Sequence, residues 1–372
     1  MKKTIITIGV ILGIIAMGLG VYFAWKKSQE ILTPPISDQQ PITNNQQQLP
    51  SATEKLKVLS DQPVFDYWTI TTGTSTKIFY INKTGQILKV NPPAGGGKDE
   101  IISSQTINNL QQAKSSNNGE RILLKLGGAD SPQFNIFNAT NNIWELLPSG
   151  ITTADFSPSN KEIAYLKTNG DKSDLIIKNL TASKTNKIIS IAQNDFDLNW
   201  LTDEIILLTD KPSFYIDDDI WALNIKNKTI KKITSGRGLL TNWSPNGDSG
   251  IKFSVDQQRN SYLELINNDG TIRASFDFST LPDKCVFDSL KIYCAVPQIN
   301  NSIQKPAFPD DYLKRAVYFK DIIYKMDIEQ NTFEMIYANP EIDIDASHLS
   351  ISDNQLLFIN RYDSKLYELI LE

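Results

Sequence analysis

The chain is 372 residues long, with a formal net charge of −5, a sequence pI near 5.2, two cysteines and one histidine. That balance excludes a nucleic-acid-binding surface, which needs a basic stripe to displace counterions. Lys far outnumbers Arg, and Asn and Ile are abundant, a composition that points to an AT-rich bacterial genome more than to a functional demand.

The first element is a run from Ile5 to Trp25 without a charged side chain, long enough to cross a bilayer as one helix. Lys2 and Lys3 precede it, Lys26 and Lys27 follow it, and it ends in Tyr22-Phe23-Ala24-Trp25, aromatics suited to a membrane interface. A cleaved signal peptide is the alternative, but its apolar region is usually about 7–15 residues and ends in a small-x-small site. The expectation is a single-pass anchor, residues 1–27, with a cytoplasmic amino terminus and an extracytoplasmic domain at a bacterial cell surface or in a periplasm. Ser28–Thr53, rich in Gln, Asn, Pro and Ser, lacks a core-forming pattern and is expected to be a disordered tether. As a flexible coil it would span about 25–30 Å.

Residues 54–372 read as all-β, with short apolar runs in period two separated by turn residues. Units begin near Val64, Ile107, Thr153, Phe196, Leu240, Cys285 and Asp345, which gives seven units of four strands, a β-propeller. Six or eight stay open, because the first two units lack a clear signature. The third unit reads Thr153–Ser157, Ile163–Lys167, Asp174–Asn179 and Lys187–Ser190; the fourth reads Phe196–Trp200, Glu204–Thr209, Ile220–Ile225 and Thr229–Thr234. The last has three strands, Ala346–Ser350, Gln355–Asn360 and Lys365–Leu371. The isolated run Lys55–Ser60 is expected to supply its fourth, closing the ring and covering an edge. Turns such as Asn82-Lys83-Thr84-Gly85 and Asn267-Asn268-Asp269-Gly270 hold residues that tolerate positive φ.

The count rests on a cassette of aromatic, small polar residue, turn and apolar run that recurs about every 44 residues, a blade-length period. It places Phe156, Trp200, Trp243 and Phe287 in one register. Ser157-Pro158-Ser159-Asn160-Lys161 and Ser244-Pro245-Asn246-Gly247-Asp248 carry it most fully. On these residues the domain resembles the TolB-like propeller family, related in architecture to WD-repeat propellers and to the propeller part of dipeptidyl-peptidase-type hydrolases. The resemblance covers residues 55–372. It implies the fold and a wedge role for the aromatics, and it leaves function open, since propellers host many activities.

Cys285 and Cys294 lie on neighbouring strands of the sixth unit, where an even count and an extracytoplasmic address favour a disulfide over two buried thiols. No His or further Cys lies near enough to suggest a metal. Gly95-Gly96-Gly97-Lys98 lacks the spacing and helix of a phosphate loop, so no cofactor is expected. There is no Gly-x-Ser-x-Gly elbow, and His348, on the inner strand of the last unit, is expected to be a satisfied structural histidine. Asp217-Asp218-Asp219 and Asp310-Asp311 lack an EF-hand pattern and read as solvated loops.

Position makes those loops interesting. Asp210–Asp219 and Pro297–Lys320 are enlarged connections between second and third strands, on the rim that propellers often use for binding. They combine Phe214, Tyr215, Asp217, Asp218 and Asp219 with Phe308, Asp310, Asp311 and Tyr312, and are expected to converge as an exposed binding face. The reading favoured is a membrane-anchored propeller that binds a protein or cell-envelope component without catalysis. The alternatives are a hydrolase or lyase acting on a glycan or peptide through carboxylates such as Asp217 and Asp310, and loops that merely brace the ring.

Overall fold

A computed structural model describes residues 55–91, 98–128, 131–182, 184–193, 195–298, 306–330, 332–339 and 341–371. All of them fall in one unit, Pro50–Glu372. The anchor Ile5–Trp25, the tether Ser28–Thr53 and Gly95–Gly97 lie outside the described residues. Among the described residues no helix is long and apolar enough to cross a membrane.

Strands follow one another in hairpin succession. After β1 (Leu56–Val58) come β2 to β5 (Val64–Thr72, Ser75–Asn82, Ile87–Lys89, Glu100–Ser103) and β6 to β9 (Leu110–Ser115, Arg121–Gly128, Ser131–Asn138, Ile143–Leu146). Then follow β10 to β13 (Ile151–Phe156, Glu162–Asn169, Lys172–Asn179, Thr185–Ile191) and β14 to β16 (Asp197–Trp200, Ile205–Thr209, Asp217–Asn224). A long strand, β17 (Thr229–Trp243), leads into β18 to β20 (Ser249–Val255, Ser261–Asn267, Ile272–Ser275). The last are β21 to β24 (Cys285–Asp288, Lys291–Pro297, Asp321–Asp327, Thr332–Tyr337) and β25 to β27 (Ala346–Ser352, Gln355–Asn360, Lys365–Ile370). Each consecutive group forms an antiparallel sheet.

Two joins depart from simple hairpins. β17 pairs with β16 through Thr229–Arg237 and with β18 through Arg237–Trp243, so the groups on either side share a seven-stranded sheet. β1 pairs antiparallel with β27, Leu56 opposite Leu369 and Val58 opposite Tyr367. The amino-terminal run thus supplies the outer strand of the last sheet, over a shorter span than Lys55–Ser60.

The core lies between sheets. Trp200 packs with Leu166 and Leu175 of one sheet and Ile206 and Leu223 of the next. Phe156 sits between Leu123 and Ile163, Trp243 between Leu207 and Ile266, and Phe287 between Phe253 and Ile292. Each ring fills the wedge left where twisted sheets diverge, and truncating such a ring costs about 3–5 kcal/mol. Tyr67 does the same across the closure, where its hydroxyl donates to the carbonyl of His348 at 2.6 Å.

The cassette's serine has a separate job. Ser157 Oγ accepts the amide of Glu162 at 3.0 Å, and Ser244 Oγ that of Ser249 at 3.1 Å. Ser116 Oγ does the same for Arg121 at 3.0 Å, so the second unit carries a cassette, Ser116-Asn117-Asn118-Gly119, without its aromatic and proline. At the third-to-fourth-strand turns an Asn or Asp side chain caps the reversal: Asn179 accepts the amides of Thr181 and Ala182, and Asn224 those of Lys226 and Asn227.

Candidate functional site

The two enlarged connections meet. The amide of Phe214 donates to Asp310 Oδ2 at 2.7 Å, joining the β15–β16 connection to a one-turn helix, α1 (Asp310–Leu313), in the β22–β23 connection. Gly238 of β17 allows the approach: its φ is +61°, and a Cβ there would stand 2.8 Å from the carbonyl oxygen of Phe308. Its amide also donates to the carbonyl of Ser213, so one glycine receives both connections.

Several side chains expected to stand exposed are instead buried. Phe214 (8 % exposed) and Tyr312 (4 %) belong to the apolar cluster between the sheets that contain β18 and β22. Phe308 is half-buried, edge-on to Phe253 and tilted against Phe319. The reason is area: each ring gains more from the wedge beneath the connections than from water. Tyr215 alone of the four aromatics is largely exposed, at 67 %.

The acidic runs are not solvated loops either. Asp217–Asp219 opens strand β16. Asp218 is fully buried and accepts the amides of Ser213 (2.9 Å) and Leu239 (3.2 Å) on Oδ2, while its Oδ1 has no partner among the described residues. Burial pushes its carboxyl above the usual range, against those amides. Asp219 lies 3.4 Å from Lys232, and Asp217, three-quarters exposed, lies 3.5 Å from Arg237. Asp311 Oδ2 accepts the amide of Ala307 at 2.7 Å. These carboxylates shape the connections before they can do anything else.

Beneath α1 lies a buried ionic cluster that sequence reading missed. The Lys284 ammonium, with no exposed surface, donates to Asp321 Oδ2 (2.7 Å), Asp345 Oδ1 (2.6 Å) and the carbonyl of Ala346 (2.8 Å). Arg361 adds a second cation: it donates to Asp345 Oδ2 at 2.8 Å and to the carbonyl of Tyr312 at 2.9 Å, its guanidinium 3.9 Å from the centre of the Tyr312 ring. The Tyr312 hydroxyl donates to Asp283 Oδ2 at 3.1 Å. Burial and then Asp283 drive that phenol well above its ordinary pKa.

Burial pushes Asp321 up to about 6 although Lys284 pulls the other way, and its Oδ1 has no partner among the described residues. Burial would lower Lys284, but Asp321 and Asp345 outweigh it and the ammonium stays charged. The cluster holds two cations against two aspartates in a site closed to solvent, which suits clamping better than substrate chemistry. It ties the loop bearing α1 to the start of β23, to β25 and to the β26–β27 turn.

Above the cluster the rim is apolar and exposed. Tyr318 stacks on Tyr362, centroids 5.4 Å apart, with Arg361 5.0 Å from the Tyr318 centroid. Tyr215, Ile216, Leu313, Tyr318 and Tyr362 are between 43 % and 67 % exposed. His348 is exposed, not buried, with φ +53°; what it contributes to packing is its carbonyl. Among the described residues no group of three His, Cys, Asp or Glu could hold a metal ion. Cys285 and Cys294, opposite each other in the β21–β22 register, form a disulfide.

No family model and no curated protein sequence matches the chain. Among solved structures it is similar to tricorn protease (10% identical, 90% of this chain and 35% of that one, TM-score 0.53). It is similar to the β-propeller domain of Cps50 (Swd1) from Myceliophteria thermophila (9%, 85% and 100%, 0.52) and to an oligogalacturonate lyase in complex with manganese (10%, 86% and 90%, 0.51). The chain spans about a third of the length of tricorn protease. TolB from Acinetobacter baumannii is matched at a TM-score of 0.40, 13% identical, over 81% of this chain and 78% of that one. Enzymes and a domain named only for its fold stand side by side, so what the likenesses share is architecture. In fold the chain is a β-propeller, the architecture implied by a cassette that resembles those of TolB-like propellers.

Proposed function

We propose that this is a seven-bladed propeller, held outside a membrane by the helix Ile5–Trp25, that binds a protein or cell-envelope component through the rim around α1 and catalyses no reaction. The observation that carries the binding reading is the set of exposed residues Tyr215, Ile216, Leu313, Tyr318 and Tyr362, mounted on the two enlarged connections and the β26–β27 turn, which a buried ionic cluster and the Phe214–Asp310 hydrogen bond hold in place. Exposed aromatics on a rigid base are the usual anchors of recognition surfaces. Supporting a count of seven, buried clusters alternate with the sheets all the way round, β17 serving as outer strand of one blade and inner strand of the next. The anchor and its orientation rest on the sequence of residues 1–27; digestion of intact cells with protease should remove the propeller, and its survival would defeat that topology.

The catalytic alternative rests on Asp217 and Asp310, and Asp310 already serves the Phe214 amide. The deciding experiment is affinity recovery from gently solubilised native membranes, comparing the full chain with a Tyr215→Ala, Tyr318→Ala, Tyr362→Ala variant. A partner held by the first and lost by the second supports the reading. Equal recovery overturns the assigned face, and turnover of a glycan or peptide abolished by Asp217→Asn would favour the enzyme.

A further inference from the structure

The buried cluster beneath α1 sets an amine directly against a carboxyl. Lys284 Nζ lies 2.7 Å from Asp321 Oδ2, one bond from the carboxyl carbon, and 2.6 Å from Asp345 Oδ1. None of the three side chains has exposed surface. The rings of Tyr312 and Phe319 flank the ammonium, with centroids 5.5 and 5.4 Å away. Groups fixed in this way escape the entropy cost of meeting, provided the reacting atoms come within about 3–3.5 Å.

The two aspartates are not equivalent. Asp345 uses both oxygens: Oδ1 accepts from Lys284, and Oδ2 accepts from Arg361 at 2.8 Å and from the amide of Phe319 at 3.1 Å. Arg361 gives it a permanent countercharge. Asp321 has no guanidinium beside it. Its Oδ2 accepts from Lys284 and from the amide of Ala346 at 2.7 Å, its Oδ1 has no partner among the described residues, and burial raises its carboxyl to about 6. Asp321 is therefore the carboxyl that can take up a proton, and its unpaired oxygen is the one free to leave. The ammonium is the resting form of Lys284, but a site without water penalises separated charges and brings the neutral amine and acid within reach. A reaction that occurs once per molecule needs that neutral pair only briefly.

We propose that Lys284 and Asp321 condense to an intramolecular isopeptide bond, with Asp345 as the proton shuttle. The ammonium first passes one proton to Asp321. The amine then attacks Cγ of the acid and the N–C bond forms. Asp345 takes the surplus proton from nitrogen and delivers it to the departing hydroxyl, and one water leaves. The balance needs no oxidant, metal or second substrate. The bond closes at its root the segment that carries β21, β22 and the connection bearing α1. Before it forms the cluster titrates as free ions; afterwards Asp321 has no proton to exchange.

The test is the intact mass of the full chain in detergent, denatured and reduced, as purified and after prolonged incubation in the folded state, followed by peptide mapping. The expected result is a mass lower by one water and a branched peptide joining Lys284 to Asp321. Lys284→Arg, which keeps the cation, should restore the full mass. Asp345→Asn should slow bond formation by about a hundredfold or more. An undiminished mass in both samples overturns the proposal, and so does a lost water that maps to a succinimide at Asp269-Gly270 or anywhere else. An Asp345→Asn protein that links as fast as the parent overturns the shuttle. If either variant fails to fold, the mass and map of the parent protein decide alone.

Discussion

The two rims of the propeller are held by different kinds of force. On the rim of first-to-second-strand turns, one short local device repeats: Ser116, Ser157 and Ser244 each accept an amide five residues on, and Asn117 reaches across to the carbonyl of Pro158 in the next sheet. On the opposite rim, around α1, nothing repeats. Lys284, Asp321, Asp345 and Arg361 come from four separate segments and meet in a site without solvent. A repeated local turn is replaceable, because each copy contributes little and its neighbours remain. A unique buried cluster is not, because removing one member strands the others.

That contrast is broken most severely at Lys284. Lys284→Met should leave two aspartates buried with one cation, and the domain is expected to lose about 3–5 kcal/mol in urea unfolding. Adding Asp321→Asn and Asp345→Asn should recover part of that loss, since fewer charges are then stranded. If the single variant unfolds like the parent protein, the cluster is not what holds the α1 rim.

The pH dependence probes the same cluster more gently. Asp321 titrates near 6 when folded, whereas an unperturbed aspartate titrates near 3.9. Between those values the folded state holds more protons than the unfolded state, so stability should fall as pH rises from about 4 to about 6, by roughly 2–3 kcal/mol, and flatten above. Asp321→Asn should reduce that slope. Asp66, Asp197 and Asp218, also raised by burial, contribute in the same direction and should leave a remainder. A parent protein whose stability rises across this window would contradict an Asp321 carboxyl raised by burial.

The turn rim should respond weakly. Ser157→Ala and Ser244→Ala each remove one hydroxyl that accepts a single amide, a loss of about 1 kcal/mol apiece. The two sites lie in different sheets, and their effects should add in unfolding measurements. A loss several times larger at either position would mean that the repeated device is not local.

This division decides what the sequence reveals. The aromatic cassette is legible because every blade must fill the same wedge, so Phe156, Trp200, Trp243 and Phe287 recur in register. Ser116-Asn117-Asn118-Gly119 escapes notice because only its serine and glycine are needed for the turn, and the conspicuous proline and aromatic are absent. The cluster at Lys284 is illegible, since its bonds to Asp321 and Asp345 cross 37 and 61 residues and no period links them. Asp218 misleads for a related reason: three consecutive aspartates look solvated until tertiary structure brings the amides of Ser213 and Leu239 to the middle one.

The smallest expected effect on stability bears most directly on function, and it separates side chains that look alike in sequence. Phe214→Ala and Tyr312→Ala empty a buried wedge and should cost about 3–5 kcal/mol each, so loss of binding in those variants would say nothing about contact with a partner. Tyr215 stands largely in water above the same frame, Tyr318 and Tyr362 are a little under half exposed, and their change to Ala should shift unfolding by less than about 1 kcal/mol each. A partner lost on these exposed changes, with the thermal midpoint retained, places recognition on the rim itself. Should Tyr318→Ala instead destabilise the domain as strongly as Tyr312→Ala, its stack with Tyr362 and Arg361 belongs to the clamp, and the rim braces the ring rather than reading another molecule.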